Sequence, residues 1–274
     1  ASSTLAGDVV LHGNGTLTLN TITTTDGSIT ITSDGDMTAL AIDAGQTTDA
    51  TIANLNLTTT AGNILLGSTS AADAVNMTSA AGIDDLTADA TTDITAGTAI
   101  SLNAVSGIGN TEVVEVAAGS DLTAHITAAG DLNVDGNGAL LLTDVDTADG
   151  SITINAAGDM TALAVDAGQT ADATIANLNL TTTTGNLLLG STSAADAVNM
   201  VSAADIDDLA TDATTDITAG TTITLNAVSG IGNTEVVEVA AGSDLTAHVT
   251  AAGDLTVHGR SEEHTSELQS PCNL

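Results

Sequence analysis

The stretch Gly27-Ser28-Ile29-Thr30-Ile31 decides the fold: a glycine, a polar residue, then apolar side chains alternating with Thr. The unit returns at Gly62-Asn63-Ile64-Leu65-Leu66, Gly119-Ser120-Asp121-Leu122, Gly130-Asp131-Leu132-Asn133-Val134 and Gly150-Ser151-Ile152-Thr153-Ile154. Alternation at period two marks a half-buried β-strand, and glycine supplies the positive φ that a tight corner needs. A chain made almost wholly of such corners and strands is an extended β scaffold.

The unit sits inside a longer repeat. Asp26-Gly27-Ser28 recurs at Asp149-Gly150-Ser151, and Thr111-Glu112-Val113-Val114 recurs at Thr234-Glu235-Val236-Val237, both 123 residues on. Residues 26–132 and 149–255 align without a gap and differ at 14 of 107 positions. Ile42 becomes Val165, Ile64 becomes Leu187 and Ser101 becomes Thr224, so apolar stays apolar and β-compatible. The repeat boundaries fall near 6–128 and 129–251, and a third copy begins at 252–259. Strand candidates in the first copy are 28–32, 38–42, 51–57, 63–66, 99–104, 112–117, 121–126 and 131–134. The Ala-rich stretch 70–92 reads mostly as small-residue coil outside the array. Without a Pro-rich or Gly/Ser linker, residues 1–259 form one continuous domain.

Residues 260–274 break the pattern, since they hold the only Arg (Arg260), the only Pro (Pro271) and the only Cys (Cys272). The string RSEEHTSELQSPCNL resembles the frame translation of a common short-read sequencing adapter. It is set aside as a non-native tail, so Cys272 says nothing about redox compartment.

Composition narrows the architecture. Phe, Tyr and Trp are absent, yet apolar residues, nearly all small aliphatics, make up 42% of the chain. That excludes ordinary disorder and suits a slim core of stacked Ile, Val, Leu and Ala. Tandem β-sandwiches are the alternative, but such domains usually bury an aromatic and need hairpins. A right-handed parallel β-helix needs neither. Coils of about 20 residues, rising about 4.8 Å each, would give roughly a dozen turns.

Asp and Glu number 35 against one basic residue, a formal net charge of -34. Phosphate backbones and anionic lipid surfaces would repel such a chain, so nucleic acid and membrane insertion are not expected. Divalent cations are expected partners. Most acids are Asp, which favours turns by bonding its own local backbone.

The repeated GSITIT…GDMTALAIDAG…NLNLTTTAGNILLG pattern over residues 1–259 resembles the β-helical repeats of filamentous-haemagglutinin-type bacterial surface adhesins. The resemblance implies a right-handed parallel β-helix, export from a Gram-negative cell, and a stalk or adhesive role at the cell surface. Cell-surface or matrix components, glycans among them, would then be partners. The family's N-terminal secretion domain has no counterpart here, and the chain lacks an initiating Met, so it reads as a fragment. The family offers no active-site residue to carry over.

Three groups of residues invite chemistry. Asp84-Asp85 and Asp207-Asp208 are paired acids, as in a glycan-active β-helix enzyme, but strand neighbours point to opposite faces. The body also lacks a basic group for uronates and an aromatic for sugar stacking. Asp144-Val145-Asp146-Thr147-Ala148-Asp149-Gly150 approaches a calcium loop with one residue too many, and Asp34-Gly35-Asp36 loses its first acid to Ala157 in the second copy. His12, His125, His248 and His258 lack a Cys or His partner at ligand spacing. Glu112 and Glu115, three apart in a strand-like run, are expected to face opposite sides. The sequence therefore assigns no catalytic, cofactor or specific metal residue; Ca²⁺ binding is expected to be weak and diffuse. The leading expectation is a structural or adhesive segment without catalysis. A polysaccharide-active enzyme and a calcium-dependent assembly module stay open.

Overall fold

The computed structural model describes residues 2–3, 7–45, 53–117, 119–168, 176–212, 214–240 and 244–260. Among them strands stack in parallel into a solenoid of about 11 turns, with no helix. The tandem sandwich is thereby excluded: neighbouring strands are successive turns, not arms of a hairpin.

Each turn contributes one straight strand and one bent strand, to two different sheets. Straight strands such as Ile29–Ser33, Leu55–Thr59 and Val75–Ser79 alternate buried and partly exposed residues. Their inward side chains register in columns: Ile29 over Leu55 over Val75 over Ile100, and Ile31 over Leu57 over Met77 over Leu102. All eight are fully buried. Each contributes about 1.5–3 kcal/mol, and the repetition of one small interior replaces the single aromatic-filled core of a globular domain. Bent strands such as Met37–Ala44 and Ile64–Ala71 turn a corner in mid-strand, where burial loses its alternation.

Buried hydroxyls close the corners. Thr59 Oγ1 donates to the Gly62 carbonyl at 2.5 Å and Ser79 Oγ to that of Gly82 at 2.9 Å, and Thr182 repeats the bond to Gly185 in the second copy. The corner glycines play a different part from the expected one. Gly27, Gly62, Gly130 and Gly150 are not among the residues with positive φ. A Cβ on Gly27 would lie 2.3 Å from the Gly7 carbonyl oxygen, and one on Gly150 1.9 Å from that of Gly130. Glycine is needed there because the neighbouring turn's backbone passes too close for any side chain. Corner aspartates also depart from expectation by reaching along the rod. Asp8 Oδ1 accepts the Ser28 N–H at 2.9 Å and Asp36 Oδ1 the Asn63 N–H at 2.9 Å, each from the next turn.

Most strand candidates fall within two or three residues of their places. The chief correction concerns 70–92, which holds the end of Ile64–Ala71, all of Val75–Ser79 and Gly82–Asp85. Its alanines and Met77 look helical by propensity, but small residues fit the corners and Met77 fills a core column. The outer coil shrinks to residues 86–93. Residues 51–52 of the 51–57 candidate lie outside the described residues, as do 261–274 of the tail. Arg260 itself ends the strand Val257–Arg260 and pairs with Ala240.

The two copies do not sit on the same side of the rod. Met37–Ala44 belongs to one sheet and its counterpart Met160–Ala167 to the other. The 123-residue repeat spans eleven half-turns, so equivalent residues are displaced by five and a half turns of about 22 residues each. The sheets exchange straight and bent roles midway. The exchange falls where Ser120–Ala129 meets Leu140–Asp149, with a register slip between Leu122 and Thr123 that skips Thr143.

Candidate functional site

A local widening of the coil builds the site. Where Ile64–Ala71 turns its corner, only residues 67–68 separate the paired positions Leu66 and Thr69. On the next turn their partners Asp85 and Ile94 are separated by residues 86–93. One turn further, residues 109–113 leave the ladder between Ile108 and Val114. Two extruded loops thus stand side by side, and a cleft of about 340 Å³ opens between them. Gly109 starts the second loop at φ +65°, and a Cβ there would meet the Asn133 carbonyl oxygen at 2.1 Å. This glycine is required on both counts.

Asp85, Asp89, Glu112, Glu115 and Asp135 line the cleft, and Asp93 adjoins it. Asp85, Asp93 and Glu115 each bring a carboxylate oxygen to within 4.8 Å of the others, and all three are buried, Asp93 to 1% exposure. The backbone fixes them there. Thr69 donates its N–H and Oγ1–H to the Asp93 carbonyl at 2.6 and 2.8 Å. The Asp93 N–H donates to the Glu115 carbonyl at 3.0 Å, and Asp93 Oδ2 accepts the Glu115 N–H at 2.9 Å. Glu115 Oε2 is buried and accepts no hydrogen bond. Burial, and after it the neighbouring Glu115 and Asp85 carboxylates, push Asp93 up to about 8. Glu115 is also raised, by burial first and then by the Asp85, Asp135 and Asp89 charges. Uncompensated negative charge in a low-dielectric pocket draws either a proton or a cation.

The second copy rebuilds the arrangement on the opposite sheet with Asp208, Asp216 and Glu238. Asp216 repeats the Asp93 contacts, and burial first, then Asp208 and Glu238, pushes it up to about 7. Glu238 Oε2 is again buried and unpartnered. The difference is a cation, supplied by Arg260, the first residue of the stretch that resembles an adapter translation. Arg260 Nη2 lies 3.7 Å from Glu238 Oε1, and His258 stands where Asp135 stands in the first copy.

The acids singled out in the sequence separate. Asp84 Oδ1 caps the Thr111 N–H at 2.9 Å while Asp85 enters the cluster, in keeping with their opposite directions. Glu112 and Glu115, expected on opposite sides, line one cleft, because the strand begins only at Val114 and alternation does not govern Glu112. The 144–150 calcium-loop candidate falls largely in the strand Leu140–Asp149. His125 does find partners: its Nδ1 lies 2.8 Å from Asp146 Oδ2 and its Nε2 4.0 Å from Asp144 Oδ2. That trio is partly solvated and has no buried unpartnered atom. Asp34 and Asp36 are turn acids, accepting from Thr60 Oγ1 and the Asn63 N–H. Asp93 and Asp216 escaped sequence reading, since no motif marks them. Their one signal was position: they close an eight-residue loop where the preceding turn uses two residues.

Among the described residues no helix is long and apolar enough to cross a membrane. No family model matches the chain, and neither curated proteins nor solved structures give a match.

Proposed function

We propose that the chain is a rigid spacer: a stalk or matrix segment of an extracellular, bacterial cell-surface repeat protein, with no catalysis. The observation that carries this reading is the stack of parallel strands in about 11 turns among the described residues. Such a ladder converts chain length into reach, about 50 Å here at about 4.8 Å per turn. The acidic coat keeps neighbouring rods apart and soluble. The resemblance to filamentous-haemagglutinin-type repeats supports the surface setting, and the scarcity of basic and aromatic side chains supports a passive role. Antibodies raised against the chain should stain intact source cells as strongly as permeabilised ones; staining only after permeabilisation would overturn the surface reading.

One observation favours a second reading. Asp93, held protonated beside Glu115, has the character of a general acid in a glycan-active cleft. Turnover of neutral or uronate glycans, abolished by Asp93→Asn, would replace the spacer reading with this one.

A further inference from the structure

We propose that the cleft holding Asp85, Asp93 and Glu115 is a Ca²⁺ site, and that in the second copy the Arg260 guanidinium takes the cation's place.

Three features carry the assignment. The donor set is all oxygen, which suits a hard cation rather than Zn²⁺ or Cu²⁺. The oxygens lie within 4.8 Å of one another. That ceiling admits ligands on opposite sides of a Ca²⁺ at about 2.4 Å, and Mg²⁺, which gives up its waters reluctantly and demands near-octahedral geometry, is the poorer match to a buried cluster of carboxylates. The second feature is Glu115 Oε2, buried without a partner in a cleft that the backbone of two loops holds open. A side chain placed so at folding cost normally has an occupant to meet. The third is the second copy, where one of the equivalent carboxylates, Glu238, is met by a positive group, Arg260 Nη2 at 3.7 Å from its Oε1. Asp89 and Asp135, at the rim of the first cleft, can complete the shell directly or through water.

The test uses the full chain, stripped with EDTA and titrated with Ca²⁺ alone by calorimetry. At about 0.15 M NaCl the screening length is about 8 Å, so diffuse surface binding is suppressed. One saturable Ca²⁺ site per chain is expected, with Mg²⁺ at least about tenfold weaker. Glu115→Gln should abolish that site, and Glu238→Gln should leave it unchanged. Circular dichroism in EDTA confirms that each variant folds; should Glu115→Gln not fold, Asp93→Asn supplies the same test. A folded parent chain with no saturable step, a site indifferent to Glu115→Gln, or Mg²⁺ binding as tightly as Ca²⁺ would each overturn the proposal. Two equivalent sites in the parent chain would overturn the role given to Arg260.

Discussion

The two carboxylate clusters are near-copies in sequence and opposites in electrostatics. Around Asp93, five acids line the cleft with no positive side chain among them, and burial pushes Asp93 up to about 8. Around Asp216, four acids share the cleft with His258 and Arg260. Identical backbone thus builds the same pocket twice, and two substituted positions, 135/258 and 137/260, decide how its charge is balanced. In the first copy the residue aligned with Arg260 is Asn137, whose Nδ2 donates to Thr92 Oγ1 and leaves the acids alone. A pocket's geometry is inherited with the repeat; its occupancy is set by the neighbouring turn.

The largest effect should come from removing the geometry. Gly109→Val imposes a side chain at positive φ against the Asn133 carbonyl, and should cost about 2 kcal/mol or more. Limited proteolysis should then cut near residues 105–117 while the Gly232 region stays protected. Equal sensitivity in both copies would deny that the pockets form independently.

Next comes buried charge. In EDTA at alkaline pH, Asp93→Asn should raise the melting midpoint by about 4 °C, because replacing an uncompensated buried acid with a neutral isostere commonly gains about 1–2 kcal/mol. Asp216→Asn should gain less. In Ca²⁺ the order for Asp93→Asn should invert, since a ligand is lost.

The pH profile sharpens the same contrast. Asp93 is raised to about 8 and Asp216 to about 7, from an ordinary aspartate value of 3.8. Between those values the folded chain binds more protons than the unfolded one, so stability falls as pH rises. The melting midpoint in EDTA should decline from about pH 4 to about pH 8, and Ca²⁺ should flatten the decline. A flat profile without Ca²⁺ would show that the clusters are not desolvated.

The smallest effect belongs to Arg260→Asn. The guanidinium is partly exposed, so its loss should cost less than about 1 kcal/mol, read as a drop of at most about 3 °C in EDTA. In Ca²⁺ calorimetry the same variant should gain a second saturable step.

The fold was legible because alternation, repetition and the lack of aromatics all pointed one way. Ile29-Thr30-Ile31 could hardly serve anything but a half-buried strand. The reason for the corner glycines was not legible, because closeness between Gly27 and Gly7 is a property of stacked turns, not of local sequence. The site was hidden for the same reason. Asp85, Asp93 and Glu115 spread over 30 residues and meet only once two loops leave the ladder on consecutive turns. Sequence spacing reports neighbours along a strand, and here the neighbours that matter lie across rungs.

The half-integral repeat has a consequence for assembly. Were further 123-residue units added in the same phase, successive clefts would look north and south in turn, about 26 Å apart along the axis at about 4.8 Å per turn. A binding partner lying along one flank would then meet every second unit only.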